Sequence, residues 1–162
     1  MAGGIGTGLS IGAYLSLGAS GCQLGTRFVC AEESIAHPLF KDAFIRAQSR
    51  DAVLSPQMDP RFPVIPVRAL SNAGMKEFLE AQQEAIAAAD SGKMSMKEAQ
   101  LQIELFWAGA LRRAVIEGDI EHGSLMAGQS VGLVKAIQST KDIINHLVEE
   151  ALDYLTVSHH RA

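Results

Sequence analysis

The sequence predicts an α/β chain that opens with one or two βα units and continues as a mainly helical region. Three observations carry this reading. Two glycine clusters, Gly3-Gly4-Ile5-Gly6 and Gly25-Thr26, stand a βα unit apart near the start. Four of the five prolines fall between residues 51 and 72, which makes that stretch extended. Beyond residue 73 the apolar residues recur at helical spacing. The 162 residues, 48% hydrophobic and 20% charged, are enough to bury a core. A closed eight-stranded α/β barrel needs roughly 200 residues or more, so any barrel motif here belongs to part of a barrel.

Taken in order, Gly3, Gly4, Gly6 and Gly8 form a turn-rich opening. Ser10 to Leu17 place Ile11, Tyr14, Leu15 and Leu17 at near-helical spacing, and Gly18 stops the segment. Cys22 to Arg27 reads as a short buried strand that the chain leaves at Gly25-Thr26. Glu32 to Gln48 reads as a helix interrupted near Pro38. After the connector, with Pro56, Pro60, Pro63 and Pro66, a helix is expected over Met75 to Ala89, ended by Ser91-Gly92. Ser95 and Glu98 have the spacing of a capping box and open a helix through Ile116, which Gly118-Asp119 breaks. The last helix, capped by Ser139 or Thr140, carries Ile143, Ile144, Leu147, Val148, Ala151, Leu152 and Leu155 as one packing stripe.

A formal charge of −4, without basic runs, argues against a nucleic-acid partner. No stretch reaches the ~18 to 20 uninterrupted apolar residues of a membrane span, and the apolar N-terminus lacks the basic residues of a signal peptide. A cytoplasmic protein without membrane association is expected. Cys22 and Cys30 lack metal-site spacing and read as buried, inert thiols.

The chemistry-bearing feature is the glycine pair. Glycine lets backbone N–H groups approach an anion, and a helix beginning after such a loop adds partial positive charge. α/β barrels often hold a phosphate in the loops after strands seven and eight. Spacing alone leaves plain tight turns as the alternative. The nucleotide fingerprints GxxxxGK[ST] and GxGxxG after a strand are absent.

The strings AGGIGTG, LGASGCQLGTRFVCAEESIAHPLFK, PVRALSN and EGDIEHGSLMAGQSVGLV occur in that order over nearly the whole chain. In this the sequence resembles the C-terminal half of the nitronate monooxygenase (2-nitropropane dioxygenase) family, which includes flavin-dependent enoyl-acyl carrier protein reductases. The resemblance implies the C-terminal portion of an FMN-binding TIM barrel. Residues 1–72 would be barrel and connector, 73–117 a helical insertion, and 118–162 a returning loop with C-terminal helices. It implies FMN as cofactor, with its phosphate held by Gly3, Gly4, Gln23, Leu24, Gly25 and Thr26. Met126, Ala127, Gly128 and Gln129 are implied near the flavin. Arg27 is not assigned to phosphate.

The implied reaction is oxidation of an alkyl nitronate with dioxygen; the alternatives are an enoyl-acyl carrier protein reductase portion or a non-catalytic truncated remnant. The substrate is then a small nitronate or an enoyl thioester. No catalytic residue is assigned, because the family's histidine segment lies upstream of the matched region. The 162 residues alone are expected to be inactive, with either a homo-oligomer or the missing N-terminal half as partner.

The remaining polar residues have plainer readings. His37 is a loop histidine bonded to nearby backbone, His122 belongs to a solvated turn, and His146 to the polar flank of the last helix. His159 and His160 form a tail, and no metal is expected. Glu32 and Glu33 favour a positive helix end. Phe106 and Trp107 are core or oligomer contacts, and Ser55 lacks the setting of a nucleophile.

Overall fold

The computed structural model describes residues 1–62 and 66–159; Pro63 and His160 lie outside them. Six helices, α1 (Gly8–Ser16), α2 (Thr26–Val29), α3 (Pro38–Arg46), α4 (Ala73–Asp90), α5 (Met96–Arg112) and α6 (Thr140–His159), account for about half of the described chain. Two three-residue strands, β1 (Ala52–Leu54) and β2 (Arg68–Leu70), pair antiparallel with Ala52 opposite Leu70. The stretch that the prolines marked as a connector is therefore the arm of a small hairpin.

The expected strand over Cys22 to Arg27 reduces to one residue pair. Gln23 bridges Ala2 in parallel and its N–H donates to the Met1 carbonyl at 2.8 Å. The pairing is this one bridge, and Thr26 already starts the single turn of α2. The helix expected from Glu32 begins instead at Pro38. Proline suits a first helical position, and His37 caps it: its Nδ1 accepts from the Leu39 N–H at 3.2 Å.

Three apolar clusters organise the molecule. The largest gathers Phe40 and Phe44 of α3 with Cys30, Ala52, Leu70, Ala114, Leu125, Val131 and Val134. A second lies in the α4–α5 hairpin around Phe62, Phe78 and Ile103, where the Trp107 ring packs 4.3 Å from that of Phe78. The capping box is present: Ser95 Oγ accepts from the Glu98 N–H, and the Glu98 carboxylate accepts from the Ser95 N–H at 2.9 Å. Asn72 caps α4, accepting from the Met75 N–H and donating to the carbonyls of Ile120 and Gly123. Helix α5 continues through one π turn to Glu117, and Gly118, at φ +77°, ends it.

The third cluster joins α1 to α6. Ile143 and Leu147 pack against Ala31, Ile11, Leu24 and Phe28. Of the apolar residues expected in α1, Ile11 packs into this cluster and Leu17 is exposed, while the fully buried positions of the helix are Gly8 and Gly12. A Cβ on Gly8 would overlap the Leu147 carbonyl oxygen, so these glycines are what let the two helices approach. The α6 stripe splits as well: Ile143, Leu147 and Ala151 are buried, whereas Ile144, Val148 and Leu152 are about half exposed, at 47%, 49% and 57%. Ser139 caps α6, accepting from the Asp142 N–H at 3.1 Å. No helix among the described residues is long and apolar enough to cross a membrane.

Candidate functional site

The parallel pair Ala2–Gln23 sets the two glycine loops side by side at the carboxyl ends of their strand segments. Gly3 and Gly4 have φ of +85° and +72°, a conformation that side chains disfavour. No atom lies within 4 Å of where a Cβ on either would be, so the loop faces open space with its backbone bare. Gly25, equally open, precedes Thr26 at the start of α2.

The MAGQ segment reaches the same place from the other side. Leu125 accepts from the Leu70 N–H at 2.9 Å, Met126 bridges Ala69 antiparallel, and the Ala127 N–H donates to the Arg68 carbonyl at 3.0 Å. This run extends the β1–β2 hairpin by a third extended segment. It delivers Gly128, whose N–H donates to Thr26 Oγ1 at 2.9 Å across 102 positions of sequence.

Gly25, Thr26, Val29, Val67, Arg68, Met126, Ala127 and Gly128 line an open cleft of about 450 Å³. No carboxylate is among these lining residues, and one is a cation. The Arg68 guanidinium is tethered to the Ala52 carbonyl at 2.6 Å. A cleft with bare amides, a hydroxyl and no acid suits an anion. Val29, Val67 and Arg68 escaped the reading of the sequence, because only the hairpin's fold carries the latter two to the Gly25-Thr26 loop.

The other candidates fall in stated places. Gln23 is exposed beside Ala2, and Leu24 turns its side chain into the α1–α6 cluster, leaving only its backbone toward the loop. Gln129 is exposed at the start of a 3-10 turn, outside the cleft lining. Arg27 points away from the cleft: its guanidinium donates to the Gln138 side chain and the Ala136 carbonyl. Burial lowers its pKa, and burial pushes the Cys30 thiol up. Cys22 is partly exposed, against expectation.

His122 is held by Glu77, Nδ1 to Oε1 at 2.5 Å, and that hydrogen bond raises its pKa. Glu33 accepts from both the N–H and the hydroxyl of Thr140, so it does favour a positive helix end, but that of α6. The Thr140 hydroxyl and amide hold its pKa below the usual carboxylate range. No group of three or more potential metal ligands occurs among the described residues.

Two glycine loops stand at the carboxyl ends of adjacent parallel strand segments, each followed by a helix; in α/β barrels the loops after the last two strands frequently hold a phosphate. The chain belongs to the nitronate monooxygenase family, whose model it matches over residues 1–150. It is similar to FabK from Thermotoga maritima, with 36% identity and a TM-score of 0.77, over 99% of this chain and 45% of that one. It is 29% identical to a protein named as a nitronate monooxygenase from Staphylococcus saprophyticus, over 93% of this chain and 38% of the relative. A third relative, 28% identical over 95% of this chain and 49% of its own length, is a hydroxy-methyl-oxo-octahydro-indene carboxyl-CoA dehydrogenase from Mycobacterium tuberculosis. The chain thus spans less than half the length of these relatives. The α/β reading, the closing part of a TIM barrel followed by helices, agrees with these likenesses.

Proposed function

We propose that this chain is the phosphate-anchoring portion of an FMN-dependent oxidoreductase of the nitronate monooxygenase type. The observation that carries the proposal is the convergence on one cleft of Gly25, Thr26 and Gly128, with Gly3-Gly4 beside them. The open backbone of Gly3, Gly4 and Gly25 fits a phosphate. The amides of Gly3, Gly4, Gly25 and Thr26, with the Thr26 hydroxyl, would hold it by charge-assisted hydrogen bonds. The cofactor, when bound, supplies the electron transfer. The residues present bind and orient it, and the chemistry at substrate draws on chain beyond the matched portion. In this reading residues 1–72 are barrel and connector, 73–117 a helical insertion, and 118–162 the returning segment with its helices.

The parent reaction is oxidation of an alkyl nitronate with dioxygen, in line with the family match and the Staphylococcus relative. A second reading, reduction of an enoyl thioester, draws on the likeness to FabK and to a dehydrogenase named for a CoA thioester. Gly25→Val together with Thr26→Val tests the anchor. Both positions are open or half-open, so the fold tolerates the change, and FMN affinity is expected to fall about 100-fold, as for one lost charge-assisted bond together with a side chain filling the open space at Gly25. Flavin fluorescence titration reads it, and unchanged FMN binding would refute the assignment. Oxygen uptake with an alkyl nitronate against oxidation of a nicotinamide with an enoyl thioester, measured on the full-length enzyme, separates the two reactions.

A further inference from the structure

Thr26 Oγ1 receives the Gly128 N–H at 2.9 Å, and among the described residues no acceptor lies within hydrogen-bond reach of its own proton. A hydroxyl has one proton and two lone pairs. With one lone pair engaged by a main-chain donor, the proton is turned away from Gly128. Thr26 itself lines the cleft, so an acceptor bound there is what can complete it.

From this we infer that Gly128 is a positioning residue. It holds the Thr26 hydroxyl as a committed donor and so makes the site select the doubly ionised form of a phosphate monoester. A dianionic phosphate offers only acceptors, whereas the monoanion carries an O–H that competes for the donor role. Phosphate monoesters lose their second proton at about pH 6, so the selection falls in an accessible range. The inference rests on the flavin-phosphate reading above and adds to it the ionisation state that the site takes.

The Gly128 backbone supports this role. Its φ of −77° and ψ of 167° are open to any residue, so glycine is not needed there for conformation. A Cβ at Gly128 would sit 3.3 Å from Thr26 Oγ1, a tight contact that presses on the hydroxyl, and in ordinary contact with the Gly4 nitrogen at 3.8 Å. The segment is in turn fixed by the bond from the Ala127 N–H to the Arg68 carbonyl, so the donor cannot drift.

The experiment uses the 162-residue chain, with FMN and riboflavin as probes that differ by the phosphate. Affinities are read from flavin fluorescence between pH 5 and 7.5, and the Gly128 amide by NMR hydrogen exchange. Wild type and Thr26→Ser are expected to prefer FMN, to bind it more tightly as pH rises through about 6, and to keep the Gly128 amide protected. Thr26→Val is expected to lose about 10-fold or more in FMN affinity, to lose the pH dependence and to expose the amide, with riboflavin unchanged. Gly128→Ala is expected to weaken FMN several-fold and flatten its pH profile while leaving riboflavin alone.

If Gly128→Ala kept the wild-type FMN preference and pH profile, the positioning role would be overturned while the phosphate site stood. If Thr26→Val left the Gly128 amide protected, the same conclusion would follow. A wild-type chain that bound both flavins equally, or neither, would overturn the phosphate reading and this inference with it.

Discussion

Glu33 shows how one side chain can bind distant segments. Its carboxylate receives the Thr140 amide and hydroxyl, at 2.9 and 2.7 Å, and so neutralises exposed donors at the start of α6 from 107 positions away. These bonds favour the ionised form and hold its pKa below the ordinary 4.5. A group whose folded pKa is depressed contributes stability that is present above its unfolded value and is lost as pH falls through the folded one. Urea midpoints measured from pH 7 down to 3 should therefore fall less for Glu33→Gln than for wild type, the two curves converging at the acid end. Equal slopes would mean that the bond does not form in solution. Buried Lys41 serves the same stretch: its ammonium donates to the Ala31 and Glu32 carbonyls.

At the scale of elements, the seam between α1 and α6 depends on the absence of side chains. Gly8 stands where a methyl group would meet the Leu147 carbonyl and lie 2.6 Å from Glu150 Cβ, and its own N–H donates to the Glu150 carboxylate at 2.7 Å. Backbone cannot yield as a flexible side chain does. Gly8→Ala is expected to cost roughly 1–3 kcal/mol, the usual penalty of overpacking, although alanine is the better helix former. Thermal melting followed by circular dichroism measures this, and an unchanged or raised midpoint would show that the helices do not pack this closely.

The seam also marks what could be read from the sequence. The helices of the second half were legible because caps such as Ser95 with Glu98 and a 3.6-residue period coincide there. The glycine loops were legible as glycines, and the cleft's Thr26 through its neighbourhood. The β1–β2 hairpin was not, since three-residue strands are too short to show a period and four prolines spoke louder. Arg68 and Val67 could not be placed at the cleft, because their position depends on the pairing of Ala69 with Met126. In α1 the apolar Ile11 pointed to the seam, but the closest contacts there are made by Gly8 and Gly12, and a glycine contact carries no hydrophobic signal.

For the molecule as a whole, the outer half of the α6 stripe is the feature that the fold leaves open. Ile144, Val148 and Leu152 lie at successive turns on one face, about half exposed, while their neighbours Ile143, Leu147 and Ala151 are buried. Exposed apolar rows of this kind promote association. The isolated chain should self-associate in light scattering as its concentration rises. Ile144→Lys with Val148→Glu should reduce this while leaving the circular dichroism spectrum intact, and a wild-type chain that stayed monomeric at all concentrations would contradict the expectation.

The bridge between Ala2 and Gln23 is a single residue pair, so the two glycine loops share hardly any sheet. What otherwise sets their spacing is helical: the close approach of α1, which follows one loop, to α6, whose start Glu33 ties to the chain beyond the other. The loops thus act as the jaws of a pair of calipers, with the glycine seam as its spring. A change made at the seam is therefore expected to alter the gauge at the cleft.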